Sequence, residues 1–263
     1  MKAAIGQFIP GNSILHRSDP RTKIIMTILY MVAVMFIQTF VGYGVAVVFL
    51  IAAVLASRVP VKYVLRSIRP LLFIILFTVL LNMLFYKGET LLWGWGIISI
   101  YKEGIIFAAK MALRIMILVT GASLLTFTTS SIALTDGLER LMSPLSVIHF
   151  PAHDIAMMMS IALRFIPTFS EETDRIMKAQ SSRGADFDTG RFIEKIKSFI
   201  PVIIPLIISA FRRAEDLAVA MESRCYRGGD GRTRFRVLKF TGNDIVVSLA
   251  VIALTVGIIA GGL

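Results

Sequence analysis

Two short cassettes hold the residues best suited to grip another molecule: Ser182-Arg183-Gly184 and Ser223-Arg224-Cys225, with their arginines 41 positions apart. Each closes a helix-like run in the most charged part of an otherwise apolar chain. Aligned on the arginines, Asp174 and Glu215 both fall nine positions before, and Ala179 and Ala220 four before. Pro167 and Pro205 stand near the two starts, which makes a faint internal repeat. An Arg in the last turn of a helix lies beside the orphan carbonyls and the negative end of the dipole, and Gly184 supplies a left-handed stop. One such cassette reads as an ordinary helix cap with a helpful cation. A pair presents two planar, permanently charged guanidinium groups, which suits a docking surface that engages two similar partners.

Other chemistries find no support. His149 and His153 are four apart, but Pro151 breaks the helix that would align them and no third ligand is near, so no metal site is expected. Serines and threonines have no base placed beside them by a recognisable motif. The stretch from Arg227 to Arg236 is basic and Gly-rich but lacks the spacing and the Lys-Ser/Thr pair of a phosphate-binding loop, so it reads as a flexible, lipid-facing linker. The single cysteine, Cys225, excludes an internal disulfide and a cysteine metal cluster. Neither a cofactor nor a catalytic residue is expected, and energised work would draw on a partner.

The elements that carry the cassettes belong to an all-α integral membrane protein. Hydrophobic residues make up 56% of the 263-residue chain. The mean hydropathy is +0.77, and the apolar excess is gathered in long runs. The net charge of +11 sits in short loops beside those runs, where membrane topology and lipid head groups explain it better than nucleic acid. The segment from Met1 to Lys23 has no apolar core, so no cleavable signal peptide is expected. Asp19-Pro20 reads as a helix start. The uncharged run from Ile24 to Ala56 is too long for one crossing and predicts a hairpin of two helices, broken near Gln38 to Gly44. Basic flanks on both sides place its ends in the cytoplasm. A third helix follows Pro70 to about Tyr86, and Lys87 to Glu103, with Trp93, Trp95 and Tyr101, is placed outside. A fourth, about Gly104 to Phe127, contains Lys110 and Arg114 on one face. Charges there are costly. The spacing has Lys110 snorkelling outward and Arg114 bonding backbone carbonyls or another helix.

Residues 1–127 thus form a membrane region with four helices, 128–243 a cytoplasmic part and 244–263 a fifth membrane helix. The cytoplasmic part has 16 Lys+Arg and 13 acids, interleaved as on solvated helix faces. It opens with a short amphipathic helix from about Ile132 to Met142. A helix from His153 or Asp154 to Ser182 follows, and another from about Thr189, with an apolar stripe including Phe192, Ile193, Ile196 and Phe199 and with kinks expected at Pro201 and Pro205.

Four segments together resemble a known family. They are Asp19-Pro20-Arg21-Thr22-Lys23, Leu163-Arg164-Phe165-Ile166-Pro167, Ala179-Gln180-Ser181-Ser182-Arg183-Gly184 and Met221-Glu222-Ser223-Arg224-Cys225. In order and nearly along the whole chain they resemble EcfT, the transmembrane coupling subunits of energy-coupling factor (ECF) vitamin transporters, and the similar CbiQ and BioN proteins. The family's cassette is Ala-Arg-Gly; Ser182 departs from it in the first copy, and Ser223 and Cys225 in the second, so only the two arginines carry over. The resemblance implies a bacterial or archaeal plasma-membrane subunit that is not itself an enzyme. Its partners would be two ABC-type ATPase subunits, EcfA and EcfA′, docked at the cassettes, together with membrane lipids and a substrate-binding S-component, EcfS. Met157, Met158, Met159, Phe192 and Ile196 would offer the S-component an adaptable platform, or else form plain core between helices. Two other classes compete: a secondary transporter with Lys110 and Arg114 on its path, and a lipid-phosphate enzyme using Arg227, Arg232, Arg234 and Arg236. The first usually shows inverted membrane repeats and the second needs a fixed nucleophile or general acid, and the sequence displays neither.

Overall fold

The computed structural model describes residues 8–86, 88–95, 98–144, 150–187, 192–228 and 238–260, with the backbone alone at 93–95, 98–99 and 192. The helices are α1 (Ile14–Arg17), α2 (Pro20–Met35), α3 (Phe40–Ser57), α4 (Val61–Ile68), α5 (Leu72–Phe85), α6 (Lys102–Thr128), α7 (Ser131–Met142), α8 (Ala152–Ser182), α9 (Phe192–Ser223) and α10 (Gly242–Ala260). They fall into two compact units, one drawn from Gly6–Leu141 and Val237–Leu263 and the other from Met142–Arg236. The chain is an all-α membrane protein. Among the described residues four helical segments are long and apolar enough to cross a bilayer: Phe40–Ser57, Val61–Phe85, Lys102–Thr128 and Gly242–Ala260.

In the first unit, α2 packs against α6 and α10, α3 against α6, and α5 along α6. The core they enclose joins Tyr30, Val34 and Ile37 of the hairpin's first arm to Tyr43 and Ala46 of its second, Ile117 of α6, and Val251, Leu254 and Ile258 of α10. Gly121 is required there, because a Cβ would run into the Tyr30 ring, whose hydroxyl donates to the Ile117 carbonyl at 3.4 Å.

The hairpin break is narrower than the sequence suggested. It occupies Ile37 to Thr39, and Gly42 and Gly44 lie inside α3. The Thr39 hydroxyl caps the Gly42 amide at 3.2 Å, which starts the helix at once. The basic segment before Pro70 is also helical, as α4, and leads into α5 through a 3-10 turn, Arg69–Leu71, that contains the proline. Between α5 and α6 the backbone forms an antiparallel ribbon, β1 (Leu91–Trp95) with β2 (Ile98–Tyr101). The Glu103 carboxylate, accepting from the Thr90 hydroxyl and amide, ties down its base. The aromatic and β-branched residues here favour strands, a signal that the sequence reading took only for an interfacial belt.

A polar seam fastens the start of α2 to the start of α10. Asp19 caps α2, accepting from the Arg21 amide at 2.9 Å and from the Arg21 guanidinium at 3.0 and 2.8 Å. Its own amide donates to Asp244 Oδ1 at 2.6 Å, while Asp244 Oδ2 accepts from the Thr241 amide and hydroxyl at 2.6 and 2.9 Å. Both carboxylates are buried. Burial alone would raise the Asp19 pKa, but the bonds from Arg21 outweigh it, and the group is held below its ordinary 3.8.

Replacing Asp244 with Ala strands two backbone amides and should cost about 3 kcal/mol in detergent unfolding. Because the Asp19 pKa is lowered, its contribution is complete above the ordinary Asp range and disappears as the pH falls through the lowered value. An acid titration of stability should therefore flatten at its low-pH end in Asp19→Asn, which keeps the cap and loses the titrating group.

Candidate functional site

The second unit contains both cassettes. Helices α8 and α9, of 31 and 32 residues, pack against each other and continue through Pro167, Pro201 and Pro205. A proline within a helix costs one hydrogen bond without ending the helix when packing holds it.

The two helices end in the same way. At the first cassette the Ala185 amide donates to the Gln180 carbonyl at 3.0 Å and the Gly184 amide to the Ser181 carbonyl at 3.0 Å. At the second, the Tyr226 amide donates to Met221 at 3.0 Å and the Cys225 amide to Glu222 at 2.8 Å. These are two Schellman closures, each with Arg at the cap and the following residue in the left-handed region. Gly184 has φ +89°, and Cys225, with φ 54°, takes the same position although it carries a Cβ. The serines match as well: Ser182 Oγ donates to the Lys178 carbonyl at 3.0 Å and Ser223 Oγ to Val219 at 2.8 Å. All three residues of each cassette are exposed, and with the serine hydroxyls bonded to their own helix the charged group each cassette offers is its arginine. Neither Arg183 nor Arg224 has an acidic partner among the described residues.

Between the tips lies a contact that the sequence reading missed. Arg213 donates to Glu172 Oε2 at 3.1 Å and stands over the Phe169 ring at 5.8 Å. The two residues are themselves 41 apart, so equivalent positions of the repeat bond to one another. Each lies eleven positions before its own cassette arginine. That spacing is about 16 Å along a helix. The pair therefore divides α8 and α9 at the same distance from both tips. A bond from the Ser209 hydroxyl, then that from Arg213, holds the Glu172 carboxyl below its ordinary range, so it is ionised at neutral pH. The spacing of 41 was in the sequence; that Glu172 and Arg213 meet needed the packing.

Of the other candidates, Met158, Met159 and Ile196 are exposed. Met157 is half-buried, its sulfur accepting from the Tyr226 hydroxyl at 3.0 Å. The apolar stripe of α9 is open to the surroundings at Ile193, Ile200, Ile203, Ile204 and Ile207. The side chain of Phe192 lies outside the described residues, as do Lys87, His149, Thr189, Arg232, Arg234, Arg236 and 261–263. The described residues hold no cluster of three His, Cys, Asp or Glu that could bind a metal.

Lys110 reaches the exposed turn of the α2–α3 hairpin. Its ammonium donates to the Gln38 carbonyl at 2.6 Å and lies 5.3 Å from the centre of the Phe40 ring. Arg114 donates to the Ile37 carbonyl at 2.7 Å, 5.9 Å from the centre of the Tyr43 ring. These carbonyls follow the end of α2, that of Ile37 buried and that of Gln38 exposed, and the two cations satisfy them.

Fold and site together define a multi-pass helical membrane protein with two matched arginine-tipped helices. Residues 11–235 match the family model of the cobalt transport protein CbiQ. The chain is 57% identical over 244 residues to the energy-coupling factor transporter transmembrane protein EcfT of Ruminiclostridium cellulolyticum, covering 93% of this chain and 91% of that one. The EcfT proteins of Thermosediminibacter oceani and Listeria innocua are 51% and 44% identical over 96% of this chain, and 95% and 96% of theirs. The chain belongs to the CbiQ/EcfT family of ECF-transporter transmembrane components.

An L residue in the left-handed region costs about 1–2 kcal/mol. Relief of that cost in Cys225→Gly should therefore slow amide exchange of the last α9 turn about fivefold, whereas Gly184→Ala should accelerate it at the end of α8.

Proposed function

We propose that this chain is the coupling subunit of an ATP-driven importer of vitamins or other micronutrients. Arg183 and Arg224 dock onto two ABC-type ATPase subunits, EcfA and EcfA′, one arginine to each. The observation that carries this reading is the duplicated geometry: two helix ends closed alike, each offering one exposed guanidinium, equidistant from one ion-pair crossing. Two equal tips suit two similar partners. Hydrolysis belongs to those partners, and this subunit converts their movement.

The basic flanks of the α2–α3 hairpin put α8 and α9 on the cytoplasmic side of a bacterial or archaeal plasma membrane by the positive-inside rule. When nucleotide moves the ATPases, the tips follow and the Glu172–Arg213 crossing transmits the displacement to the apolar halves of the helices. There, exposed Met158, Met159 and Ile196, with Met157 and Phe192 beside them in sequence, receive the substrate-binding S-component, EcfS. Met adapts to differing surfaces, as a shared subunit would need.

The test is a detergent pull-down of the tagged protein from its own membranes, comparing wild type with Arg183→Glu, Arg224→Glu. ATPase subunits should accompany wild type and be lost from the double variant. Each single reversal should weaken binding about thirtyfold or more, from a cost of at least about 2 kcal/mol per contact. If no ATPase accompanies wild type, or if the double variant retains it, the docking assignment fails.

A further inference from the structure

Helices α3 and α10 both contribute to the core of the first unit, Tyr43 and Ala46 of one joining the cluster with Val251 and Leu254 of the other. The gap between them is a cavity of about 260 Å³. Small side chains, Ala53 and Ala56 of α3 and Ala250 of α10, leave it room, and Tyr30 and Leu124 also line it. Ala52, Ala56, Val246 and Ala250 are exposed, so the mouth opens between two helices that are both apolar enough to cross a membrane. What meets that mouth is hydrocarbon.

One end of the cavity differs. It is closed by α1 and lined by Ser18, Lys23 and Thr128, all buried. The Lys23 ammonium donates to three neutral oxygens, the carbonyls of His16 at 3.4 Å and Thr128 at 3.1 Å and the Thr129 hydroxyl at 3.1 Å. Arg17, adjacent in sequence to the lining residue Ser18, and Arg58, two positions past the lining residue Ala56, are both exposed, although neither lines the cavity itself. The site is thus an apolar slot whose one polar end adjoins, in sequence, two exposed arginines at the ends of α1 and α3. Its volume lies below the roughly 300–1,000 Å³ of sites that enclose whole drug-sized ligands, and suits a single chain rather than a whole lipid.

We infer that this slot binds one acyl chain of an anionic glycerophospholipid, with the phosphate held by Arg17 and Arg58, since the Lys23 ammonium already donates to three oxygens of the chain. Exposed arginines near a membrane surface attract anionic head groups, and an apolar slot open to the bilayer is filled most simply by a tail of the same molecule. Under the orientation proposed above, this is a lipid of the cytoplasmic leaflet. The bound lipid would fill the wedge between α3 and α10 that no side chain occupies. The site does not depend on how the cassettes are used.

The experiment equilibrates the full chain in nanodiscs of mixed phosphatidylglycerol and phosphatidylcholine, extracts it into mild detergent and counts retained lipids by native mass spectrometry. Wild type should retain one phosphatidylglycerol in preference to phosphatidylcholine. Ala53→Phe, which fills the slot, should lower that retention at least tenfold, whereas Ile252→Phe, exposed on α10 outside the lining, should match wild type. If Ala53→Phe does not fold, Ala250→Leu at the mouth replaces it. Arg58→Gln should remove the preference for the anionic lipid while leaving the fold intact. The inference is overturned if wild type holds no lipid tightly, if a folded slot-filling variant retains as much as wild type, or if phosphatidylcholine is held equally well.

Discussion

A helix that ends in or beside hydrocarbon must find partners for its last carbonyls and first amides within the chain itself. That constraint accounts for the charged side chains that bond to backbone in the membrane unit. Arg114 and Lys110 take the carbonyls that α2 leaves behind at Ile37 and Gln38. Lys23 takes the last carbonyl of α6 at Thr128, Asp19 caps α2, and Asp244 caps the start of α10 while holding the Asp19 amide. The charged residues in apolar segments are therefore terminators. They fix where helices stop, and through that how α2, α3, α6 and α10 meet. The two cassettes obey the same constraint by another route, closing α8 and α9 with backbone bonds so that their arginines stay outside the closure.

Much of this was legible in the sequence wherever the signal was local. Asp19-Pro20 announced a helix start, uncharged runs announced crossings, and the repeated cassettes announced two similar ends. The cassette geometry could be anticipated at Gly184, whose left-handed conformation glycine adopts freely. It could not be anticipated at Cys225, since nothing in that residue type favours φ 54°, and only the matching pair of backbone bonds shows that it plays the part of Gly184. What escaped was non-local. That Lys110 reaches the surface was expected of a lysine near a helix end, but its acceptor, the carbonyl of Gln38, is 72 positions away in sequence and needed the packing. The β1–β2 ribbon was hidden because its aromatics also fit an interfacial belt. The Glu172–Arg213 pair was hidden because an acid and a base on mixed-charge helices look like solvated faces until the helices are packed.

The division of α8 and α9 into equal arms gives the coupling proposal its physical content. Were the crossing nearer one tip, equal pushes on the two arginines would rotate the helices unequally, and two similar motors would be poorly matched to the load. A crossing eleven positions from each tip treats both alike. An ion pair suits such a point because it holds register at the crossing without the wide interface that would lock the helices together. At 3.1 Å, with Phe169 beneath the guanidinium, it is anchored on both sides.

The central claim is that the two tips move with the nucleotide state of the partners. It is tested most directly by electron paramagnetic resonance distance measurement between spin labels at Ser182→Cys and Ser223→Cys, in a Cys225→Gly background, within the complex purified with its ATPases. One narrow distance is expected without nucleotide, and a shift of several ångströms when a non-hydrolysable ATP analogue is added. An unchanged distance, in a complex that still imports substrate, would contradict the claim.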